Sequence, residues 1–550
     1  MMKKIVFLIL LFTVICQPSF ADLTPDQRMN DAVMIVDLFE HRYGPMTWKE
    51  EFLGIDHSQM VNTFLENVSL AANDEEFFTA ILLYLASFQD GHVSCQFPST
   101  HVTKLGFDVD DIGGHVIITK ITRDLLSQDD FPFVVGDELV AIDGVHVDEL
   151  RAQLGLINST GSPKADARWL AWLLTWRPQR ILGTIPTGNA SVTIVPQDES
   201  GEKVITIPWL EKGLPLAPIA STLSKSKATI VSSPPTALEN LRNYKSHFSR
   251  DNMRDGEEGA GEPFFKMWAT FKPIDKAPLF AGTFDLNDKR VGFIRIATFD
   301  ETLSRMQEVS SFLKDFVPRL QNETDALILD LTDNGGGFVC YGELIATFFI
   351  DEPIGGVRDS VKPTRQWAVE FESMFDWVSD IKERVLIANI IAEIRASLER
   401  GDELTNAFRI CSPLEHLPPA TELGLASTTY TRPLLVLVNE FSASMADAFP
   451  AMLQDAGHAK VFGAQTMGLG GRVTRVGPTG NSDIVISVTN SLGWREKDVL
   501  LPSGSTTRFI ENVGVIPDYP YDITLDDFFN GHGGYRAAIE QALMDMLNKQ

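Results

Sequence analysis

The sequence predicts an α/β fold preceded by a small β-rich module, on three observations. Leu434 to Val438 is an apolar run of strand length. Small residues follow (Ser442, Ala443, Ser444), then apolar residues at helical spacing from Ala446 to Ala456, with Gly457 where a helix-ending glycine belongs. Asp325 to Leu331 repeats the buried-strand pattern and leads into Thr332-Asp333-Asn334-Gly335-Gly336-Gly337. From about 105 to 154 the chain changes to short strands, Val116-Ile117-Ile118 and Leu139 to Ile142, with turn signals at Gly136-Asp137 and Asp143-Gly144.

The elements follow in order. Residues 1–21 read as a signal peptide: Lys3 and Lys4, an apolar run from Ile5 to Cys16, and Ser19-Phe20-Ala21 as a cleavage site. Export to a bacterial periplasm or beyond is the expected setting. Residues 22–104 are a helical region opened by Thr24-Pro25-Asp26, with a second helix from Asp74 to Leu85, ending in the turn Asp90-Gly91-His92. Residues 105–213 form the β-rich module, closed by a hairpin from Ala190 to Pro208 around Glu199-Ser200-Gly201. Residues 214–273 lose periodicity and read as a long loop or processing insert. The α/β core spans 274–525 with a helical cap at about 363–410, and 526–550 supply a C-terminal helix.

Composition narrows the function. The 550 residues carry a net charge of −27, which argues against nucleic acid and anionic membrane surfaces as partners. Beyond Cys16 three cysteines remain, Cys95, Cys340 and Cys411, enough for one disulfide and one leftover thiol. No Cys/His spacing suggests a metal.

Strand, tight turn and helix lift a serine clear of a sheet edge and aim helix N–H groups at its oxygen, so Ser444 is the candidate nucleophile. A serine there can also simply cap the helix. The three glycines can present N–H groups to a phosphate or an oxyanion, but Phe338-Val339 stand where a phosphate loop needs Lys-Ser/Thr. His92 alone, just after a helix in a glycine turn, reads as a structural or exposed residue rather than a catalytic one.

The run Gly136 to Gly144 resembles PDZ domains, which bind peptide termini at a sheet edge. Residues 329–337 and 438–447, with 453–463 and Thr466-Met467-Gly468-Leu469-Gly470-Gly471, resemble the C-terminal-processing, or tail-specific, serine peptidases. That family joins a PDZ-like domain to a crotonase-like α/β core. Its Ser-Lys members carry their lysine where this chain has Leu469. Asp90-Gly91-His92, residues 491–496 and residues 509–515 instead resemble its Ser-His-Glu branch, which includes the tricorn core protease and chlamydial protease-like activity factor. The resemblance implies an endopeptidase with Ser444 as nucleophile, His92 as general base and Glu511 orienting the imidazole. The oxyanion hole would use the N–H of Met445 and one from Gly336 or Gly337. It implies protein or peptide substrates, no cofactor or metal, no membrane span after signal removal, and room for a homodimer. An unshifted imidazole, near roughly 6.5, would serve as the base without tuning. Lys460, at the start of a strand, is expected to be solvated rather than catalytic. The alternative is an inactive relative that binds peptides or apolar ligands.

Overall fold

The computed structural model describes residues 22–198, 201–216, 261–411 and 414–548. The signal segment and most of the aperiodic insert lie outside these residues.

Alternation along two strands builds the core. Ala326–Asp330 and Leu434–Val438 are buried at every position and pair in parallel at the centre of a seven-stranded sheet. Strands covered on both faces read as unbroken apolar runs, which is why both were visible in the sequence. Leu327, Leu329, Leu434, Val436 and Val438 face the helices Leu303–Glu323, Val339–Ala346 and Met445–Ala456. Ala326, Ile328, Leu435 and Leu437 face the other way, onto the C-terminal helix Gly533–Leu547. The remaining strands are Lys272–Pro273, Phe280–Leu286 and Lys289–Arg295 on one side, Lys460–Gly463 and Tyr519–Pro520 on the other.

The core begins earlier than 274. Within the expected loop, Phe265 is buried, Trp268 stacks on Phe284 at 4.0 Å, and Lys272–Pro273 pairs with Gly282 and Thr283. These aromatics have no helical or alternating period, so the sequence pattern could not place them.

The helical region forms as expected. Thr24 and Gln27 build a reciprocal cap on Pro25–Arg42, and Asn73 caps Asp74–Ala86, whose first turn is acidic. Its core is continuous with Ile484, Ile486 and Val488, and the strand Ser94–Gln96 pairs antiparallel with Val485–Ser487. That docking fixes the turn between helix and strand, and with it His92, against the C-terminal half of the core.

The β-rich module is a sheet of Phe107–Ile112, His115–Ile121, Glu138–Ile142, Asn189–Val195 and Lys203–Pro208, with Val145–His146 beside it. A helix that periodicity did not single out, Pro163–Thr175, packs on Phe107–Ile112 and sends Trp169 and Trp172 into a core shared with Phe441, Ala443, Met467 and Leu469. Two antiparallel helices, Arg365–Trp377 and Ile381–Arg400, form the cap around a small core of their own.

Cys340 and Cys411 are bonded, while Cys95 is buried and free. The bond closes a stretch of 71 residues that carries the whole cap and anchors it three residues past Gly337. Constraining a loop of that length stabilises by about 4 kcal/mol. Cys340→Ser should therefore lower the unfolding free energy by about that much in urea titration, and reductant should produce the same loss in wild type but no further loss in the variant. Equal midpoints with and without reductant would show that the cap is held by packing alone.

Candidate active site

The strand Leu434–Val438 ends in a turn that is hydrogen-bonded at nearly every position. Ser442 is fully buried; its Oγ donates to Leu331 O at 2.8 Å and accepts from Asn439 N at 3.0 Å. Ser442 is thus consumed in holding the turn. Ser444, half-buried, sits at φ 57°, ψ −116°, immediately before Met445–Ala456. A non-glycine residue in that region is strained and persists only when its surroundings dictate it.

Asp447 supplies much of that dictation. Its carboxylate accepts from Ser444 N at 2.6 Å, Gly468 N at 2.9 Å and Leu469 N at 3.0 Å. Burial pushes its carboxyl up to about 6, against these bonds and one from Thr466. Leu469, in the position where the Ser-Lys peptidases keep a lysine, gives its N–H to this clamp and its side chain to the core shared with the β-rich module.

The glycine turn lies against the serine. Gly336 has φ 93°, and a Cβ there would come within 2.6 Å of both Ala443 O and Ser444 Cβ, so only glycine fits. Gly336 N–H, however, donates to Asn334 Oδ1 at 2.8 Å and is already engaged, against the expectation that it could serve an oxyanion. Gly337 N–H and Met445 N–H have no acceptor among the described residues. The two turns are zipped together by Asp333 and Asn439, which exchange bonds of 2.8 Å in both directions, and by Ala443 N donating to Asn334 O at 2.9 Å. Arg168, from the unforeseen helix, reaches Asp110 of the β-rich module at 2.8 Å and Glu440 of the serine turn at 2.7 Å.

The turn that carries His92 docks on the loop that carries Glu511, beside residues 466–470. Glu511 is fully buried, and Gly470 N donates to its Oε2 at 2.9 Å. Asn512 N donates to Gly468 O at 2.8 Å, and Asn512 Nδ2 to Gln89 O at 3.0 Å, docking the histidine turn on the Glu511 loop. In that turn Asp90 accepts from His92 N at 2.8 Å, Tyr43 Oη at 2.9 Å and Thr489 Oγ1 at 2.7 Å. Sequence reasoning missed one residue here altogether. Lys49, fully buried on the helix Met46–Leu53, places Nζ 2.5 Å from Glu511 Oε1 and 2.8 Å from Gln89 O. A lone lysine in a short helix carries no signal of burial.

The imidazole is not hydrogen-bonded to Ser444 or Glu511 in this state, whose carboxylate oxygens lie on Lys49 and Gly470. Nor is it unshifted. Burial, aided by Lys49 and opposed by Asp90, pushes His92 down to about 4. Burial and the Asp90 charge push Glu511 up to about 7, against Lys49 and the Gly470 N–H. Lys460 lies apart, exposed and paired with Asp518 at 2.8 Å.

Residues 290–521 match the model of peptidase family S41, and residues 101–212 match a PDZ domain. The core is a peptidase family S41 domain. By that family the protein is a serine peptidase joined to a PDZ domain. A Chlamydia pneumoniae protein is 26% identical, with 94% of this chain and 90% of that protein covered. An uncharacterised Chlamydia muridarum protein is 25% identical over 100% of this chain and 98% of its own length. The crystal structure of mature CPAF superimposes with a TM-score of 0.73 at 20% identity, covering 96% of this chain and 98% of that one, a match of fold across the helical region, PDZ domain and S41 core. Among the described residues no helix is long and apolar enough to cross a membrane.

Asp447 of the S41 core offers a direct check on the strained turn. Asp447→Ala leaves three N–H donors without their acceptor, each worth about 1–3 kcal/mol when buried. The expected loss is about 3–5 kcal/mol in chemical unfolding, together with loss of labelling at Ser444 by a serine-directed fluorophosphonate. Labelling at the wild-type rate would mean that the turn holds its geometry unaided.

Proposed function

We propose that this chain is an exported serine endopeptidase that cleaves peptide bonds through Ser444, His92 and Glu511. The observation that carries the reading is Ser444 itself: a half-buried residue at strained φ, at a helix start, with the Met445 and Gly337 N–H groups lacking an acceptor among the described residues. In this reading His92 takes the Ser444 proton as Oγ attacks the scissile carbonyl, and returns it to the leaving amine. The N–H groups of Met445 and Gly337 hold the oxyanion. Glu511 stabilises the imidazolium formed in that step. An imidazole pushed to about 4 is neutral and ready to accept a proton, but its charged form is costly in a buried site. An ionised carboxylate beside it is what would offset that cost. In this reading the contacts to the imidazole form by a closing movement from the state described, and catalytic hydrogen bonds are often long before substrate binds. Export is supported by the charged and apolar start of the chain and by the Cys340–Cys411 bond, which an oxidising compartment favours.

Fluorophosphonate labelling of the purified mature protein tests the nucleophile. Ser444→Ala should abolish labelling and proteolysis while leaving the thermal transition near wild type. Ser442→Ala should lower stability but still label, and Lys460→Ala should be close to silent. A labelled Ser444→Ala protein would move the chemistry elsewhere.

The pH profile tests the carboxylate. Glu511 must be ionised to act, so activity should rise with pH through about 7, the range to which burial pushes it. His92, pushed to about 4, is already neutral there and sets no limb near 7. Glu511→Gln should depress kcat/KM and remove the limb near 7. A limb that survives in Glu511→Gln would have to belong to another group.

A further inference from the structure

Lys49 has no part in the reaction as written above, yet its setting is costly. A fully buried lysine is rare, and burying an ammonium beside a carboxylate costs several kcal/mol per ion unless both are well paired. Its Nζ forms an ion pair with Glu511 Oε1 at 2.5 Å and donates to Gln89 O at 2.8 Å, three residues ahead of His92. The neighbourhood is otherwise anionic. Asp90 faces Glu511 from the histidine turn, and Tyr43 faces both from the end of the first helix. Two buried carboxylates this close cannot both ionise without a compensating charge. Lys49 is the cation in contact with Glu511, and the imidazole is neutral until it takes the serine proton.

We propose that Lys49 is a positioning residue of the hydrolytic site: it keeps Glu511 ionised beside Asp90. The inference rests on the Ser-His-Glu reading above. Its charge logic is definite. With Lys49 present, Asp90 and Glu511 together leave one net negative charge, which the imidazolium cancels as the proton arrives. Without Lys49, Glu511 holds its proton to higher pH and arrives at the transition state neutral. Lys49 itself touches no reacting atom; Ser444 and the oxyanion donors lie across residues 466–470.

Three variants decide it. Lys49→Met should lower kcat at pH 7 by on the order of a hundredfold, with little change in KM, and move the acid limb of kcat/KM upward by about one pH unit or more. Carboxyl NMR in a Ser444→Ala background should show the Glu511 titration moving upward by the same amount. If Lys49→Met does not fold, Lys49→Met/Glu511→Gln removes both charges at once and preserves neutrality. Because Lys49 is proposed to act through Glu511, this double variant should be no slower than Glu511→Gln alone. A wild-type limb and Glu511 titration in Lys49→Met would overturn the proposal, as would a double variant markedly slower than Glu511→Gln. If Glu511→Gln itself keeps wild-type kcat, the Ser-His-Glu reading fails instead. A dead Glu511→Gln beside an unaltered Lys49→Met sinks only the role given to Lys49.

Discussion

One buried carboxylate holds the site in shape. Asp447 lies in the first turn of the helix that follows Ser444, where a negative charge is favoured by the helix dipole, and it accepts N–H groups from both the serine turn and residues 468–469. The strained backbone of Ser444 is therefore enforced from inside its own helix. The same residues 466–470 also present Gly470 N to Glu511 and Gly468 O to Asn512 N, so the clamp extends through one short loop to the glutamate and the histidine turn. The Asn512 side chain completes the link to the histidine turn, binding Gln89 O from 423 positions away in sequence. A loop with so many fixed N–H groups has little freedom to vary, and close packing reinforces this. A Cβ at Gly470 would lie 2.2 Å from Glu511 N, and one at Gly468 would lie 2.9 Å from Val513 N.

Burial then sets the electrostatics. A solvated histidine would titrate near its ordinary value and a solvated glutamate well below it. Here the order is inverted, with His92 near 4 and Glu511 near 7, because burial disfavours the charged form of each and nothing in this state joins them directly. The imidazole is thus held neutral in this state, with Glu511 paired to Lys49 instead. Movement of Glu511 onto the imidazole would favour both charges at once, since each then has a partner in a site that excludes water.

Much of this was legible in the sequence, and the boundary of legibility is physical. The central strands announced themselves as unbroken apolar runs because both of their faces are covered. Ser444 was singled out by the change from strand to helix, and the glycine turn by its φ requirements. His92 and Glu511 became visible only through family resemblance, since neither residue type nor spacing distinguishes them within the chain. Choosing between Gly336 and Gly337 was beyond any pattern, because it turns on the side chain of Asn334 folding back onto one N–H. Lys49 was invisible for a related reason: its burial depends on a carboxylate 462 positions away in sequence. The expectation of an untuned histidine failed on the same ground, because a pKa is set by neighbours and not by the residue.

The coupling between the PDZ domain and the S41 core is likewise a matter of shared interior. Trp172 packs on Phe441 with ring centroids 4.6 Å apart, and Leu469, Met467 and Ala443 enter the same apolar cluster as the strands of the PDZ domain. Arg168 adds a polar rivet, its guanidinium bridging Asp110 and Glu440 and lying 4.6 Å from the ring centre of Phe441. A domain held only by a linker could swing freely without disturbing the site. Here any rotation of the PDZ domain would have to open a buried core and break a buried ion cluster whose other half is the serine turn, leaving an uncompensated charge at a cost of several kcal/mol. Leu469 is where the two requirements meet. Its backbone belongs to the Asp447 clamp and its side chain to the interdomain core. A lysine at that position would have to leave one of them, so the apolar residue there also fixes the PDZ domain to the serine turn.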